Sequence, residues 1–186
     1  MSWQKIARRV RVPLGFVFVA VFLWLARPTP VSLVWSFFLV VPGLWLRGYA
    51  SGYVKKNAEL AMTGPYAYVR NPLYLGSILI AFGFAGASTR WQIAVALGAL
   101  FLSIYLPTIR GEEQFLRGHF PEFEEYARAV PRLVPRITPA KVGVGYTSGG
   151  GSFSKALYVK HREYNALMGA VAVYAALVVR MVWFSH

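Results

Sequence analysis

The two apolar runs Leu73–Ala87 and Trp91–Ile109 are separated by only three residues, Ser88-Thr89-Arg90. Segments apolar on every side belong in a large core or in lipid, and so short a connection makes them an antiparallel helical hairpin. The runs are nearly equal in length. The flanking polar clusters, Arg70-Asn71 before and Arg110-Gly111-Glu112-Glu113 after, are therefore expected at the same side and depth of a membrane. Clusters about 40 residues apart in sequence then contribute to one site. The stretch leading into the hairpin, from Gly64 to Gly76, carries its own punctuation. Gly64-Pro65 is a turn dipeptide. Asn71 followed by Pro72 reads as a helix N-cap and first helical residue, where the missing N–H is harmless.

A chain of 186 residues suffices for one domain, but 56% hydrophobic and 16% aromatic content is too apolar for a soluble one. The net charge of +13 raises nucleic acid as a partner. Its distribution points to a membrane instead. Seventeen of the twenty Lys and Arg fall within 5–11, 47–70 and 110–162, and only Arg27, Arg90 and Arg180 lie elsewhere. Five spans with a cytosolic N-terminus put the seventeen inside and the three outside, as the positive-inside rule expects. All seven glutamates fall inside too. The excess charge then serves topology and attraction to anionic headgroups, and no nucleic-acid role is expected. With no cysteine, disulfides and thiolate chemistry are excluded. His119, His161 and His186 are too scattered to suggest a metal site.

The expected fold is all-α and membrane-integral, a single domain over 1–186 with about five transmembrane helices. Residues 1–12 read as a basic interfacial segment anchored by Trp3. A signal peptide is the rival reading of 1–26, but Leu25-Ala26-Arg27-Pro28 is a poor cleavage site. Pro13–Ala26 and Val31–Leu46 are runs of 14 and 16 residues, which fall short of a hydrocarbon core ~30 Å thick. Region 47–139 holds the core of the site. Pro107 is expected to kink span four near Arg110, and Pro131, Pro135 and Pro139 end a charged, partly helical segment. Residues 140–152 read as a Gly/Ser linker; they lack the preceding strand and third glycine of a dinucleotide fingerprint. Phe153–Tyr164 reads as an amphipathic interfacial helix and Ala166–Phe184 as the fifth span.

The blocks GPYAYVRNPLYLG, then RGEEQFL, then EEYARAVPRLVP resemble the isoprenylcysteine carboxyl methyltransferases and the related membrane phospholipid methyltransferases. The resemblance covers about residues 50–136 and rests on the order and spacing of the blocks. It implies a membrane enzyme that binds S-adenosylmethionine from the cytosol, at the cytosolic ends of spans three and four. Such an enzyme methylates a lipid-linked or apolar acceptor and releases S-adenosylhomocysteine. For a bacterial protein the membrane would be the inner one. The family usually carries histidine where this chain has Asn71, which removes any acid–base role there. Its Phe-Gly before the last block is Phe120-Pro121 here.

The residues suit that cofactor. Glu112 and Glu113 can accept hydrogen bonds from a ribose or pair with an ammonium group, and such charge-assisted bonds are strong. Arg70, Asn71 and Pro72, at the N-terminus of span three, suit a carboxylate. Tyr66, Tyr68 and Tyr74 offer ring faces to adenine or to a sulfonium cation, though tyrosines also anchor membrane interfaces. By resemblance, the backbone from Leu60 and Ala61 to Met62 lines the adenine side next to Gly64. Glu113 and Arg110 are the candidate catalytic residues, Arg110 by holding an anionic acceptor. A solvated ion pair of the glutamates with Arg110 or Arg117 is the plainer alternative. Two other activities remain open from sequence: an NADPH-dependent membrane reductase of the sterol-reductase type, and a non-catalytic protein on the same fold.

Overall fold

The computed structural model describes residues 3–55, 59–142 and 151–184. All regular structure among them is helical. Eight α-helices follow in order: α1 (Trp3–Leu25), α2 (Pro30–Ser51), α3 (Pro72–Ala87), α4 (Trp91–Leu100), α5 (Leu106–His119), α6 (Phe123–Ala129), α7 (Lys155–Lys160) and α8 (Tyr164–Phe184). A 3₁₀ turn, Gly64–Ala67, precedes α3, and a π-helical turn, Phe101–Tyr105, joins α4 to α5.

Among the described residues, three helices are long and apolar enough to cross a membrane: Pro30–Ser51, the continuous Trp91–His119, and Tyr164–Trp183. Gly15–Leu25 and Pro72–Ala87 are shorter apolar helices. In the three long ones only 11–22% of the most apolar window is buried. Trp24, Trp35, Phe38, Trp91, Leu102 and Val171 all point outward. Contiguous apolar surface on that scale is the signature of lipid contact.

Two expected boundaries move. The first helix runs from Trp3 straight through Pro13, where a basic segment and a separate span beginning at Pro13 were expected. In lipid a proline is tolerated inside a helix, because breaking the helix there would strand more backbone groups than the ring displaces. The second helix extends past Leu46 to Ser51 and holds 22 residues, so it is no longer too short to span. The side chain of Trp3 and the 143–150 part of the Gly/Ser linker lie outside the described residues.

Pro107 acts one turn earlier than its own position. The helix widens to π geometry at Phe101–Tyr105, where the Leu106 N–H bonds the Phe101 carbonyl. The hydroxyl of Thr108 reaches the Ile104 carbonyl at 2.7 Å. Such one-turn bulges absorb a residue that cannot join the regular ladder.

The chain divides into two compact units. The first comprises residues up to Val41, Leu79–Glu113 and Met168 onward. Here Gly83 lets α3 approach α2 so closely that a Cβ would stand 2.6 Å from Val40 Cγ2, the small-residue contact that packs helices in lipid. Tyr174 of α8 stacks on Phe37 at 4.6 Å and meets Phe84 at 4.9 Å, its hydroxyl 2.7 Å from Ser36 Oγ. At one end, the turns 26–30 and 87–90 are tied together. The Arg27 N–H bonds the Ser88 carbonyl at 3.0 Å, Thr89 Oγ1 the Arg27 carbonyl at 2.7 Å, and Ser32 Oγ the Ala87 carbonyl at 2.9 Å.

The second unit comprises Pro42–Ile78 and Gln114–Leu167. Its apolar centre is Phe123, Tyr126, Val130 and Ala140, with Leu60, Met62, Leu116 and Phe120 packed against it. The linker expected from residue 140 therefore begins later. Ala140 is buried, and its N–H bonds the Ala67 carbonyl at 2.8 Å. The amphipathic helix expected over Phe153–Tyr164 is also shorter. It is the six-residue α7, capped by Ser154 and closed by a turn in which Arg162 takes φ 54°.

Candidate functional site

The stretch from Gly64 to Asn71 lies in the second unit and is held along its length by α6 and the segment that follows it. The Tyr126 hydroxyl donates to the Tyr66 carbonyl at 2.9 Å. The Arg70 N–H donates to the Pro131 carbonyl at 2.9 Å, and the Arg136 N–H to the Tyr68 carbonyl at 2.9 Å. Asn71 Nδ2 donates to the Arg132 carbonyl at 3.2 Å. With the Ala140 bond, five hydrogen bonds knit residues 66–71 to residues 126–140. Backbone groups in an irregular segment need partners as much as those in helices, and the prolines at 131, 135 and 139 keep this strap extended beside it. Asn71 stands where an N-cap was expected: the Leu75 N–H bonds its carbonyl at 3.0 Å and α3 starts at the buried Pro72.

Tyr126→Phe leaves the buried Tyr66 carbonyl without this donor. The variant should lose about 1–2 kcal/mol, read as a lower thermal midpoint in detergent with fold retained. A midpoint equal to wild type would mean that α6 does not hold the stretch through this bond.

Gly64 takes φ +59°, a conformation few side chains adopt, and its missing Cβ would stand 2.5 Å from the Tyr53 ring. That ring belongs to an aromatic cluster that the sequence did not single out. Trp45 stacks on Tyr49 at 5.2 Å, Tyr49 on Phe153 at 6.1 Å, and Tyr53 meets Tyr49 edge-on at 5.1 Å. The Tyr49 and Tyr53 hydroxyls are 2.8 Å apart. Burial, then the hydrogen bond and charge of Tyr49, push the Tyr53 phenol up to about 12. The four-residue spacing of Trp45, Tyr49 and then Tyr53, the last just beyond the end of α2, was the available signal.

Tyr66 is buried, and burial holds its phenol well above the ordinary range. Tyr126 and Glu163 add to that shift and Arg47 opposes it. The phenol stays a donor. Arg47 and Glu163 are the second feature that the sequence hid. One guanidinium edge engages the carboxylate, with Nε at 3.1 Å from Oε2 and Nη2 at 3.0 and 2.8 Å from Oε1 and Oε2. Arg47 Nη1 also reaches the Leu73 carbonyl at 3.3 Å and the Ser77 hydroxyl. One ion pair thus joins the end of α2, the first turns of α3 and the turn before α8.

Of the expected site residues, Leu60, Ala61, Gly64, Tyr66, Arg70, Asn71, Pro72 and Tyr74 share the second unit. Tyr68 is exposed, while Leu60, Ala61, Arg70, Asn71 and Tyr74 are half-buried. Leu60 packs on the Phe123–Tyr126 centre. Arg110, Glu112 and Glu113 belong to the first unit, on α5. Arg110 is exposed, Glu112 half-buried and Glu113 buried.

Residues 31–122 match the family model described as phospholipid methyltransferase. The chain is 35% identical over 114 residues to the nickel-cobalt-cadmium resistance protein NccN of Alcaligenes xylosoxydans xylosoxydans, covering 61% of this chain and 53% of that one. It is 38% identical over 95 residues to the cobalt-zinc-cadmium resistance protein CzcN of Cupriavidus metallidurans, covering 51% and 43%. The chain thus spans about half the length of these curated relatives. No solved structure gives a significant match.

Proposed function

We propose, from the match of residues 31–122 to the phospholipid methyltransferase family model, that the chain is an integral membrane methyltransferase. It takes its methyl group from S-adenosylmethionine and delivers it to a lipid-linked or apolar acceptor. The observation that carries this reading is the knitting of 66–71 to 126–140, because it joins two of the three blocks on which the methyltransferase resemblance rests.

The donor set fits the cofactor. The first turn of α3 offers backbone N–H groups to a carboxylate, and Arg70 stands beside it in sequence. Tyr66, kept as a phenol, is a hydrogen-bond donor, and the Trp45–Tyr49–Tyr53 cluster adds ring faces to those of Tyr66 and Tyr74. The bound cofactor supplies an activated methyl group whose carbon–sulfur bond breaks as the bond to the acceptor forms, the sulfur keeping the electron pair. An anionic acceptor such as a carboxylate therefore needs no general base. The protein's part is orientation and exclusion of water. In this proposal Glu112 and Glu113 bind the polar half of the cofactor through charge-assisted hydrogen bonds. Arg110 steadies an anionic acceptor. The site faces the cytosol, five helices cross the membrane, and the shorter Gly15–Leu25 and Pro72–Ala87 supply two of them.

The metal-resistance names of the relatives sit with the same activity. Methylation of an envelope lipid or other apolar acceptor would be the step that this chain contributes to such resistance.

The test is thermal stabilisation of the detergent-purified protein by S-adenosylmethionine, S-adenosylhomocysteine and NADPH in parallel. A ligand that binds only the folded state raises the midpoint with concentration. A rise with the two adenosyl compounds alone is expected. A rise with NADPH alone would replace the methyltransferase by the reductase, and no rise would favour a non-catalytic protein. Glu112→Ala and Glu113→Ala should each weaken S-adenosylmethionine binding by about 10–100-fold, the loss of one charge-assisted bond. Unchanged affinity in both would remove them from the site.

A further inference from the structure

Residues 151–163 lie across the last turns of α2, and both belong to the second unit. We propose that they form a latch, closed in this structure, whose Glu163 carboxylate occupies an oxyanion site made by the Arg47 guanidinium and the Tyr66 hydroxyl. The ligand of that site is an amphiphile with a carboxylate or phosphoryl head, which takes the place of Glu163 as the latch opens. This rests on the methyltransferase reading only in taking Tyr66 as part of the functional site, and it holds whatever group is transferred there.

The Arg47 fork can outlast its present partner. The edge formed by Nε and Nη2 meets Glu163, while Nη1 is held by the Leu73 carbonyl at 3.3 Å and by the Ser77 hydroxyl. Those two acceptors belong to α3, so the guanidinium plane stays fixed when the carboxylate leaves. A planar fork presented in this way suits any carboxylate or phosphoryl group. Exchanging one oxyanion for another strands no charge, and so avoids the cost of breaking the pair outright. Arg47 also sits on a helix long and apolar enough to cross a membrane, so a head that reaches it from lipid brings an apolar tail.

Tyr66 supplies what the ion pair by itself does not explain. Only 7% of the residue is exposed. Its hydroxyl has no hydrogen-bond partner among the described residues, whereas buried hydroxyls ordinarily have one. Glu163 and Arg47 both act on its phenol electrostatically, which puts it beside the fork. Both oxygens of Glu163 are engaged by Arg47. A head free of the latch can meet Arg47 and Tyr66 together.

The latch is lightly fastened. The short α7 buries none of its residues, and Phe153 and Val159 are 44% and 51% exposed. The Ser154 N–H donates to the Gly52 carbonyl at 3.0 Å, His161 Nδ1 donates to the Ser51 carbonyl at 3.0 Å, and Phe153 stacks on Tyr49. A segment with so few buried contacts opens at small cost. At its other end, a Cβ on Gly151 would stand 2.8 Å from Thr63 Oγ1, next to Gly64. The latch thus runs from Arg47 to the threshold of the candidate stretch.

The test uses the full chain in a neutral detergent, with octanoate, octyl phosphate and uncharged octanol as probes. It follows amide hydrogen exchange of 154–163 and the thermal midpoint. In the wild type, an anion should speed exchange in 154–163 saturably, and octanol should not. Glu163→Gln should exchange fast there without a probe and reach half-saturation at least tenfold lower, although its unliganded midpoint falls below that of the wild type. A merely structural ion pair would give the lower midpoint with no gain in affinity. Tyr66→Phe should keep the latch closed and raise half-saturation about tenfold, the loss of one hydrogen bond to a charged group. Thr63→Cys/Gly151→Cys places two thiols in a chain that has none, near the separation of a disulfide's Cβ from its far sulfur. Oxidation of that pair should abolish the exchange response, and reduction should restore it. A response to octanoate alone makes the head a carboxylate, and to octyl phosphate alone a phosphoryl group. The latch would be overturned by octanol acting as the anions do, by unchanged half-saturation in Glu163→Gln, by an oxidised pair that responds like the wild type, or by no response to either anion. Should Glu163→Gln misfold, Tyr66→Phe and the cysteine pair decide. A chain that meets these expectations yet binds no S-adenosylmethionine keeps the latch and loses the methyltransferase reading.

Discussion

Glu163→Ala should lower the thermal midpoint of the detergent-purified protein by about 4–12 °C, the equivalent of about 2–3 kcal/mol. The basis is the fork that Arg47 places on the Glu163 carboxylate. The two side chains are only 23% and 12% exposed. A solvent-exposed pair is worth about 0–1 kcal/mol, and losing one partner of a fully buried pair costs about 3–5 kcal/mol; this pair lies between. Removing the carboxylate leaves a guanidinium that α2 must still accommodate beside α3. Arg47→Met should be comparably harmful, because it strands Glu163 and releases the Leu73 carbonyl and Ser77. The double variant Arg47→Met/Glu163→Met should recover most of the loss, since two apolar side chains of similar size leave no buried charge. If either single variant unfolds like the wild type, the pair is solvated in the membrane-bound protein and does not join the three helices.

Gly76→Ala should destabilise by about 3 kcal/mol, near the upper end for overpacking. An added Cβ would stand 2.7 Å from the Gly43 carbonyl oxygen and 2.6 Å from Arg47 Cγ. The first contact is with backbone and cannot be relieved by a rotamer change. The second is with a side chain already held at its far end by Glu163. The helices must therefore move apart. Gly86→Ala and Gly98→Ala are the controls, because nothing lies within 4 Å of the place either new methyl group would take; both should match or slightly exceed wild type, as helix propensity predicts. Gly76→Ala and Arg47→Met share a contact, so their effects should fall short of additivity. A neutral Gly76→Ala would show that α2 and α3 are not in close approach.

The apolar runs made the helices legible, and Asn71-Pro72 marked the start of α3 to the residue. The start of α1 and the end of α2 were not legible, because proline and arginine are stop signals in water and lesser ones in lipid. Arg47 could be read only as a positive-inside charge. Its partner lies 116 residues away, beyond a Gly/Ser segment, and no local spacing rule reaches that far. The strap after α6 was hidden for a related reason. Prolines at 131, 135 and 139 say where a helix ends, but what the extended chain then touches depends on backbone bonds to Tyr68, Ala67 and Arg70, which any side chain could make. The candidate site divides the same way. Gly64 and Asn71 announced themselves by turn and cap chemistry and Tyr66 as a ring face between them, whereas Trp45, Tyr49 and Tyr53 looked like an ordinary interfacial belt.

The π-helical turn at Phe101–Tyr105 sets the angular phase of everything after it. A bulge of this kind amounts to one inserted residue, and one residue is about 100° of helical rotation. Without it, Arg110, Glu112 and Glu113 would keep their sequence and their depth to within one residue's rise, yet look out from a different side of the same rod. Apolar side chains before the bulge can thus be chosen for lipid and charged ones after it for a different face, with a single irregular turn acting as the adjustable joint between two helical clocks.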